Sequence, residues 1–349
     1  MLSERGFPSS KTLLFHTAGE EGLVTGDDDG AAFVAPLAPD GLEGAEVAFL
    51  CGNPAGTARF LAARVDDGCL AIDLSGVRSG GVFARPADGP GGSPLPDGNL
   101  FLTFDPVALV LAEALAVVES VTPVTGMTAA IDRPASELGS AALDELFRQA
   151  IALARFESLP KEILGTQLAF NAHFPDDSWE YEARVAEDVV RLAGRPLPLG
   201  LLSARTGVFH GHLLRIELRT AGAAPTEEAI REAFGKTDGF EETDAENLSG
   251  PVEAAGRDET LLLHVACSEG AVRVGLAADH LRRAGAIMAV KLAEQAIRER
   301  GLLADAREVS AVRPSAPRAQ GTLPSRGRPR SSRPAPSGAS SGRLSASPR

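Results

Sequence analysis

The chain of 349 residues has few cysteines and no long apolar run, and each shortage excludes a class of protein. Its three cysteines, Cys51, Cys69 and Cys267, are too few and too scattered for a disulfide framework or a zinc site. The longest apolar run, PVALVLAEALAVV, has 13 residues, contains Glu113 and is too short to cross a bilayer. The N-terminal segment lacks the apolar core of a signal peptide. We therefore expect a soluble cytoplasmic protein with no membrane partner.

Acidic residues are missing from residues 313–349, which carry eight arginines, although the whole chain has a net charge of −13. Without that tail the rest of the chain carries about −21. Nucleic-acid binding needs clustered cations, so the acidic body argues against nucleic acid as the main partner. Residues 303–349 are rich in Pro, Ser, Gly and Arg and are predicted to be disordered, because they can bury little apolar surface.

Apolar periodicity divides the remaining chain into two regions that differ in their pattern of predicted strands and helices. In the first hundred residues, TLLF, EVAFLCG and CLAIDLS are typical of buried strands, and NPAGTARFLAARVDDG is typical of a helix that ends at glycine. This succession predicts a parallel α/β sheet. From about residue 120, amphipathic helices such as ALDELFRQAIALARF alternate with longer strands such as GVFHGHLLRIELRT, ETLLLHVAC and AVRVGLAA. That pattern predicts an α+β domain with a mixed or antiparallel sheet, followed by a long final helix.

Four stretches in the same order resemble the aspartate-semialdehyde dehydrogenase family: ERGFPSSKTLLF, QLAFNAHF, PVEAAGRDET and GLAADHLRRAGAIMAVKLAEQ. The resemblance covers roughly residues 1–300. It implies an α/β fold with a Rossmann-like parallel-sheet domain over residues 1–118, completed by a helix at 278–301. It also implies an α+β dimerisation and substrate domain over residues 119–277. Because that second domain forms the dimer interface in the family, the resemblance implies a homodimer.

The family's chemistry uses a cysteine thiolate that attacks an acyl phosphate or aldehyde, a histidine that moves protons, and NADP that carries the hydride. In RTGVFHGH, Arg205 and His212 keep the spacing of the family's substrate-holding arginine and catalytic histidine. The stretch FLTFDPVALVLAEAL resembles the helix whose first turn carries the cysteine, but it has Pro106 at that position and Asp105 beside it. Proline suits a first helical turn but has no nucleophilic atom. We predict that the helix forms and that the nucleophile is absent.

Three further positions resemble substrate-binding residues of the family. DLSGVR resembles a loop with a phosphate-holding arginine, which places Arg78 in that role. AEDVVRLAG has Asp188 and Arg191 at the acidic and basic positions of a family helix, three residues apart. An Asp–Arg pair at this spacing is also common on solvated helix surfaces, so both interpretations stay open. The glutamine that the family carries in a T-Y-Q-A-x-S-G segment falls near Thr122, in ESVTPVTG.

The sequence contains no glycine-rich loop of the kind that holds NADP phosphates in the family. The resemblance therefore implies either a natural chain that begins earlier or a degenerate cofactor domain, and we expect no NADP binding by the sequence as given. His210 and His212 are two apart on a predicted strand and would share a face. A metal needs a third ligand, and Glu217 would face the other way, so we predict no metal site.

Three functions fit these observations. The first is a family member without dehydrogenase turnover that acts as a dimeric interaction or regulatory protein. The second is an active NADP-dependent oxidoreductase of amino-acid biosynthesis, or else a protein that binds an acidic or phosphorylated small molecule. Such a molecule would be bound through Arg78, Arg191 and Arg205. The third is binding of RNA or an acidic partner by the arginine-rich tail, which has no aromatic residue. The missing cysteine favours the first function.

Overall fold

A computed structural model describes residues 1–9, 12–16, 24–27, 30–37, 44–63, 68–88, 92, 94–243 and 249–302. Within these residues the α-helices are α1 (Pro54–Ala63), α2 (Pro106–Glu119), α3 (Ser140–Arg155), α4 (Ser178–Ala193), α5 (Glu227–Gly235), α6 (Pro251–Ala254) and α7 (Ile287–Arg300). A 3₁₀ helix spans Ala135–Leu138 and a π-helix spans Arg282–Ala286. The predicted disorder of residues 303–349 lies outside the described residues.

The strands of the same ranges form three sheets. They are β1 (Leu14–His16), β2 (Val24–Asp27), β3 (Gly30–Pro36), β4 (Val47–Leu50), β5 (Leu70–Asp73), β6 (Val82–Phe83), β7 (Leu100–Leu102), β8 (Val124–Arg133), β9 (Ala172–His173), β10 (Leu199–Thr206), β11 (His212–Thr220), β12 (Phe240–Glu242), β13 (Thr260–Ser268) and β14 (Ala271–Ala278). One sheet has three strands, one has four and one has seven.

The four-stranded sheet is parallel throughout, with the order β4-β5-β7-β6. All four residues of β5 are buried, as expected for a parallel strand that is covered on both faces. Leu292 of α7 joins Ile72 and Phe101 of the sheet in one apolar cluster, and Phe60 of α1 joins Leu50 in another. The predicted parallel α/β layer is therefore confirmed, whereas the predicted domain boundaries stay predictions.

The strand TLLF was predicted to belong to this parallel sheet, and that prediction is wrong. It forms β1, which pairs in parallel with β3, and β3 pairs antiparallel with β2 in a separate sheet. The run is not buried either, since Leu13 is 47% exposed. A short apolar run predicts a strand, but its periodicity carries no information about which strand it pairs with. The partner is decided by contacts between distant parts of the chain.

The seven-stranded sheet is mixed, as predicted, with the order β12-β13-β14-β11-β8-β10-β9. Two of its pairs, β8 with β10 and β12 with β13, are parallel, and the others are antiparallel. Alternate residues of β11, from His212 and Leu214 to Thr220, are buried. This alternation of two residues turns the imidazole of His212 toward the core.

Helix α2 begins at Pro106, as the sequence predicted, and is buried along nearly its whole length. Asp105 is its N-cap, and its Oδ1 atom accepts a hydrogen bond from the Val107 amide at 2.9 Å. An α-helix that is apolar on all sides belongs in a core. Its central acid, Glu113, is correspondingly paired with Arg283 at 2.9 Å, and both side chains are almost fully buried.

The predicted strand over residues 206–218 is interrupted by a turn. Strand β10 ends at Thr206, and β11 begins only at His212, after a turn in which Gly211 has a φ of +85°. A Cβ atom on this glycine would lie 2.5 Å from a backbone oxygen, so a larger residue does not fit there. His210 lies in the turn, and the prediction that it shares a strand face with His212 is wrong. The last helix begins later than predicted. Ala278 still belongs to β14, and α7 begins only at Ile287.

Candidate functional site

Strand register brings the predicted arginine and histidine to one edge of the seven-stranded sheet. Arg205 of β10 lies opposite Arg133, the last residue of β8, in a parallel pair. The second residue of β11, Leu213, lies opposite Asp132 in an antiparallel pair. The carboxyl ends of β8 and β10 therefore meet the amino end of β11, where His212 begins the strand.

Three side chains at this edge converge on Glu137, which the 3₁₀ helix after β8 carries. His212 donates from Nε2 to Glu137 Oε1 at 2.7 Å, and Arg133 donates from Nε to Oε2 at 2.7 Å. Arg205 Nη1 lies 3.5 Å from the same Oε2 atom. We name these four residues, Arg133, Glu137, Arg205 and His212, the charged cluster. Its side chains are between 2% and 14% exposed.

The charged cluster holds Glu137 as a carboxylate. Burial alone would raise the pKa of Glu137, but the hydrogen bond and charge of His212, together with Arg133, outweigh burial and lower the pKa from 4.5 to about 2. Burial and the positive charge of Arg133 lower the pKa of Arg205, and Glu137 opposes that shift. An arginine remains charged even so. The cluster is therefore an internal ion network around one carboxylate.

A small apolar cavity borders the same imidazole. His212 lines it together with Pro106, Val107, Val110, Leu214, Ala278, His280 and Ala284. Its volume is about 10 Å³, roughly the space that one water requires. The ring of His280 meets the ring of His212 edge to face, with centroids 4.9 Å apart. Burial, followed by the charge of His212, lowers the pKa of His280 to about 4.

The buried ring nitrogens on this side lack partners. Among the described residues, Nδ1 of His212 and both ring nitrogens of His280 have no hydrogen bond. Apart from the two histidines, the residues that line the cavity are apolar, and none of them carries a nucleophilic side chain. Pro106 at the start of α2 has no reactive side-chain atom.

Arg78 and Asp188 form a bidentate ion pair that links the four-stranded sheet to α4. Arg78 donates to the two carboxylate oxygens at 2.6 and 3.0 Å, and Asp188 is fully buried. The Asp105 amide also donates to Asp188 at 3.0 Å, next to the start of α2. The predicted site residue Asp188 is thus occupied by an arginine and an amide of the same chain.

Arg191 does not pair with Asp188, so the interpretation of these two residues as a solvated Asp–Arg pair on one helix is wrong. Arg191 donates to Glu187 at 2.7 Å and lies over the ring of Phe83 at 4.3 Å. A glutamate four residues before an arginine is the better placed partner on a helix surface. Asp188 instead faces the interior, where Arg78 reaches it.

Two residues of the charged cluster, Arg133 and Glu137, were not predicted from the sequence. The position expected for the glutamine, near Thr122, lies before the start of β8. Arg133 is the last residue of β8, so the length of the strand places it roughly 30 Å from that position. In the segment RPASELG, no local signal distinguishes Glu137 from the glutamates that lie on the surface elsewhere in the chain. Its role depends on the fold of three strands around it.

No protein-family model matches the chain. The aspartate-semialdehyde dehydrogenase of Rickettsia bellii (strain RML369-C) is 23% identical over 322 residues, which cover 85% of this chain and 93% of that protein. A probable aspartate-semialdehyde dehydrogenase from Pseudomonas aeruginosa has a TM-score of 0.73 at 24% identity, over 86% of this chain and 93% of its own. Aspartate-semialdehyde dehydrogenase II of Vibrio cholerae, complexed with ASA, has a TM-score of 0.72 at 19% identity, over 85% and 93%.

The chain is a homologue of the aspartate-semialdehyde dehydrogenases. The structural likenesses, all below 25% identity, show a shared fold. The same holds for the enzyme from Candida albicans, solved with NADP, which has a TM-score of 0.54 at 12% identity over 78% of this chain and 83% of its own.

None of the three cysteines of this homologue lines the cavity beside the imidazole. Cys267 of β13 pairs with Val272 of β14, which pairs with Leu218 of β11, six residues along the strand from His212. At the usual rise of a strand that separation is about 20 Å. Cys69 immediately precedes β5, at the amino end of that strand, and is buried.

Cys51 follows β4 at the carboxyl end of the four-stranded sheet. Cys51 is exposed, and partial desolvation together with the charge of Asp73 raises the pKa of its thiol, which is the reverse of what a nucleophilic cysteine needs. None of the three cysteines lines the apolar cavity. The homologue therefore has no thiol beside His212.

In the four-stranded sheet, the turn from β4 into α1 is a strand-to-helix junction of the kind that can hold phosphates with backbone amides. Here Pro54 has no amide hydrogen, and the amides of Gly56 and Thr57 donate to the side chain and the carbonyl of Asn53 at 2.8 and 3.1 Å. These two first-turn amides are thus already used within the chain.

The part of the chain that the structure describes also contains no group of three or more His, Cys, Asp or Glu side chains placed to hold a metal ion. None of the helices in those residues is long and apolar enough to span a membrane.

Proposed function

We propose that this homologue has no dehydrogenase turnover and works as a dimeric interaction or regulatory protein. The strongest support is that Pro106 and His212 line the same apolar cavity. A proline rather than a thiol therefore lies at the start of α2 beside the histidine. Loss of a nucleophile in an acyl-transfer enzyme costs on the order of 10⁶-fold in turnover, about 8 kcal/mol of barrier. No rearrangement of the imidazole recovers that loss.

The charged cluster fixes the histidine but supplies no nucleophile. In His212, Nε2 is engaged by Glu137 and Nδ1 has no partner. A carboxylate on one ring nitrogen orients an imidazole whether or not the other nitrogen moves a proton. The proposal therefore depends on Pro106 and not on the contacts of this histidine.

The alternative of a site for acidic or phosphorylated small molecules is disfavoured by the same contacts. Each arginine predicted for that role is paired with a carboxylate of the chain itself: Arg78 with Asp188, Arg191 with Glu187 and Arg205 with Glu137. A ligand would have to displace these partners before it could bind.

Exposed apolar side chains support a homodimer. Between residues 147 and 202 the large exposed apolar residues are Phe147, Phe156, Ile163, Phe170, Phe174, Trp179 and Leu202. Exposed aromatic groups in this number are typical of a protein–protein interface. All of them fall in the segment that the family resemblance assigns to dimerisation.

Turnover is tested by incubating the purified chain with aspartate semialdehyde, phosphate and NADP and following NADPH formation. The dehydrogenase of Rickettsia bellii is the positive control. We expect no rate above that of a heat-denatured sample, and turnover comparable to the positive control would contradict the proposal. A thermal-shift titration with NADP should give no saturable shift, and a shift of several degrees would contradict the absence of cofactor binding.

Assembly is tested by light scattering on the eluting chain. We expect a mass of twice 36.2 kDa. The double variant Phe170→Ser, Trp179→Ser should elute as a monomer, whereas Leu281→Ser, which changes an exposed apolar residue outside residues 119–277, should remain a dimer. A wild-type chain that is monomeric at micromolar concentration would rule out the dimer.

A further inference from the structure

The carboxylate of Glu137 is surrounded in the way that a protein surrounds a bound carboxylate ligand. Both oxygens are contacted: Oε1 by His212, and Oε2 by Arg133 and Arg205. Charge-assisted hydrogen bonds of this kind are the strong and specific ones in carboxylate recognition. The three contacting groups come from three different strands, β8, β10 and β11, and they meet only because of the sheet register.

The three contacting groups depend on this carboxylate to different degrees. Among the described residues, Arg205 has its one ion pair with Glu137, and its Nη1 atom makes no hydrogen bond. His212 likewise has its one hydrogen bond there. Arg133 also donates to Asp177, a mostly exposed residue. Without Glu137, the buried Nε2 donor of His212 would have no acceptor and the buried guanidinium of Arg205 would have no ion pair, and both losses are costly.

The carboxylate is also the cluster's most accessible part. The side chain of Glu137 is 14% exposed, against 6% for Arg133, 5% for Arg205 and 2% for His212. It extends from a 3₁₀ helix of four residues, Ala135–Leu138. Truncation of this one side chain would therefore open a route from solvent to the donors.

We propose that Arg133, Arg205 and His212 form a carboxylate-binding site that the chain fills with its own Glu137, and that this internal ligand shuts out free carboxylates. The proposal goes beyond the proposed function and does not rest on it, because it concerns which anion occupies the site and not whether any reaction follows.

The test is rescue of a truncated variant by a free carboxylate. Glu137→Ala should lower the melting temperature, and about 100 mM sodium acetate should raise it again by roughly 2–4 °C over the same concentration of sodium chloride. The wild-type chain should show no acetate-specific rise. Glu217→Ala removes a glutamate from an exposed pair with Arg273 and is the matched control, also without an acetate-specific rise. An equal effect of acetate and chloride on Glu137→Ala would overturn the proposal.

A double-variant cycle decides the matter if Glu137→Ala does not fold in either salt. Glu137→Gln keeps the volume of the side chain, and Arg205→Met keeps most of the length of its own. Each should weaken folding, and the double variant should lose less than the sum, with a coupling of about tenfold in the unfolding equilibrium. Additive losses would show that Glu137 is not the ligand of Arg205 and would overturn the proposal. Because both readouts are binding or stability measurements, they are independent of the NADPH assay.

Discussion

The imidazole of His212 separates two regions of opposite chemistry. On one side its Nε2–H group donates to Glu137, which Arg133 and Arg205 also contact. On the other side the ring borders the apolar cavity, which Pro106 closes and where the nearest ring, that of His280, has no hydrogen-bond partner among the described residues. One side is a network of ions, and the residues that line the other side include no acidic side chain and no thiol.

The difference separates what holds this histidine from what would make it reactive. Hydrogen bonds to charged groups contribute about 1.5–3 kcal/mol each, whereas an unpaired buried polar atom costs about 1–3 kcal/mol. The charged side therefore stabilises the position of the ring, and the apolar side slightly opposes it. A histidine can persist at such a position for its contribution to folding, independently of catalysis.

The largest expected effect on this contrast comes from Arg133→Ala. It removes the donor to Glu137 and the guanidinium that stacks on Tyr181 at 3.8 Å, and it leaves the carboxylate partly unpaired. We expect a loss of about 3–5 kcal/mol in the free energy of unfolding, measured by urea titration. Arg215→Ala breaks the exposed pair with Asp132 and should cost less than about 1 kcal/mol. Equal losses in the two variants would show that the charged cluster is no stronger than a surface pair.

Low pH should weaken the charged side. The pKa of Glu137 is about 2 in the folded chain, against 4.5 for an ordinary glutamate. The stability that it contributes is therefore complete above pH 4.5 and is lost as the pH falls toward 2, a loss of about 3 kcal/mol. Glu137→Gln should lack this acid loss, and Glu217→Gln should retain it. An unchanged pH profile in Glu137→Gln would argue that the carboxylate titrates normally.

The apolar side should also lose stability as the pH falls, but it should begin to do so at a higher pH than the charged side. The pKa of His280 is about 4 in the folded chain, against 6.5 for an ordinary histidine, so the neutral ring is the native form. The unfolded chain gains a proton first, and stability is lost as the pH falls from 6.5 through 4, by up to about 3 kcal/mol. His280→Phe should remove this loss while keeping an aromatic ring against His212. A profile with the same loss in His280→Phe would place the titrating group elsewhere.

The smallest expected effect is at the residue on which the proposed function depends. Pro106→Ala should change the free energy of unfolding by no more than about 1 kcal/mol, because Asp105 still caps α2 and proline mainly restricts the unfolded chain. Differential scanning calorimetry measures this change. A loss several times larger would mean that the proline ring supports the cavity wall and is not only a replacement for a nucleophile.

Local signals were sufficient where one segment carries its own information. A proline that suits a first helical turn, followed by an apolar run, predicted the start of α2, and Pro106 lies there in the structure, which adds Asp105 as the N-cap. The same kind of signal predicted the strand CLAIDLS and the mixed sheet of the second half. The strand through His210 failed because a single left-handed glycine, Gly211, turned the chain. That glycine was visible in the sequence, but its φ was not.

The sequence by itself determined that the first turn of α2 has no nucleophile, since Pro106 lacks a reactive atom in any fold. It also determined the helices and most strands, because capping and periodicity act over a few residues. Only the tertiary structure decided that Glu137 occupies Arg133, Arg205 and His212, and that Asp188 belongs to Arg78 rather than to Arg191. Ion pairs form between residues that are distant in the chain, and their partners depend on strand register, which no local pattern encodes.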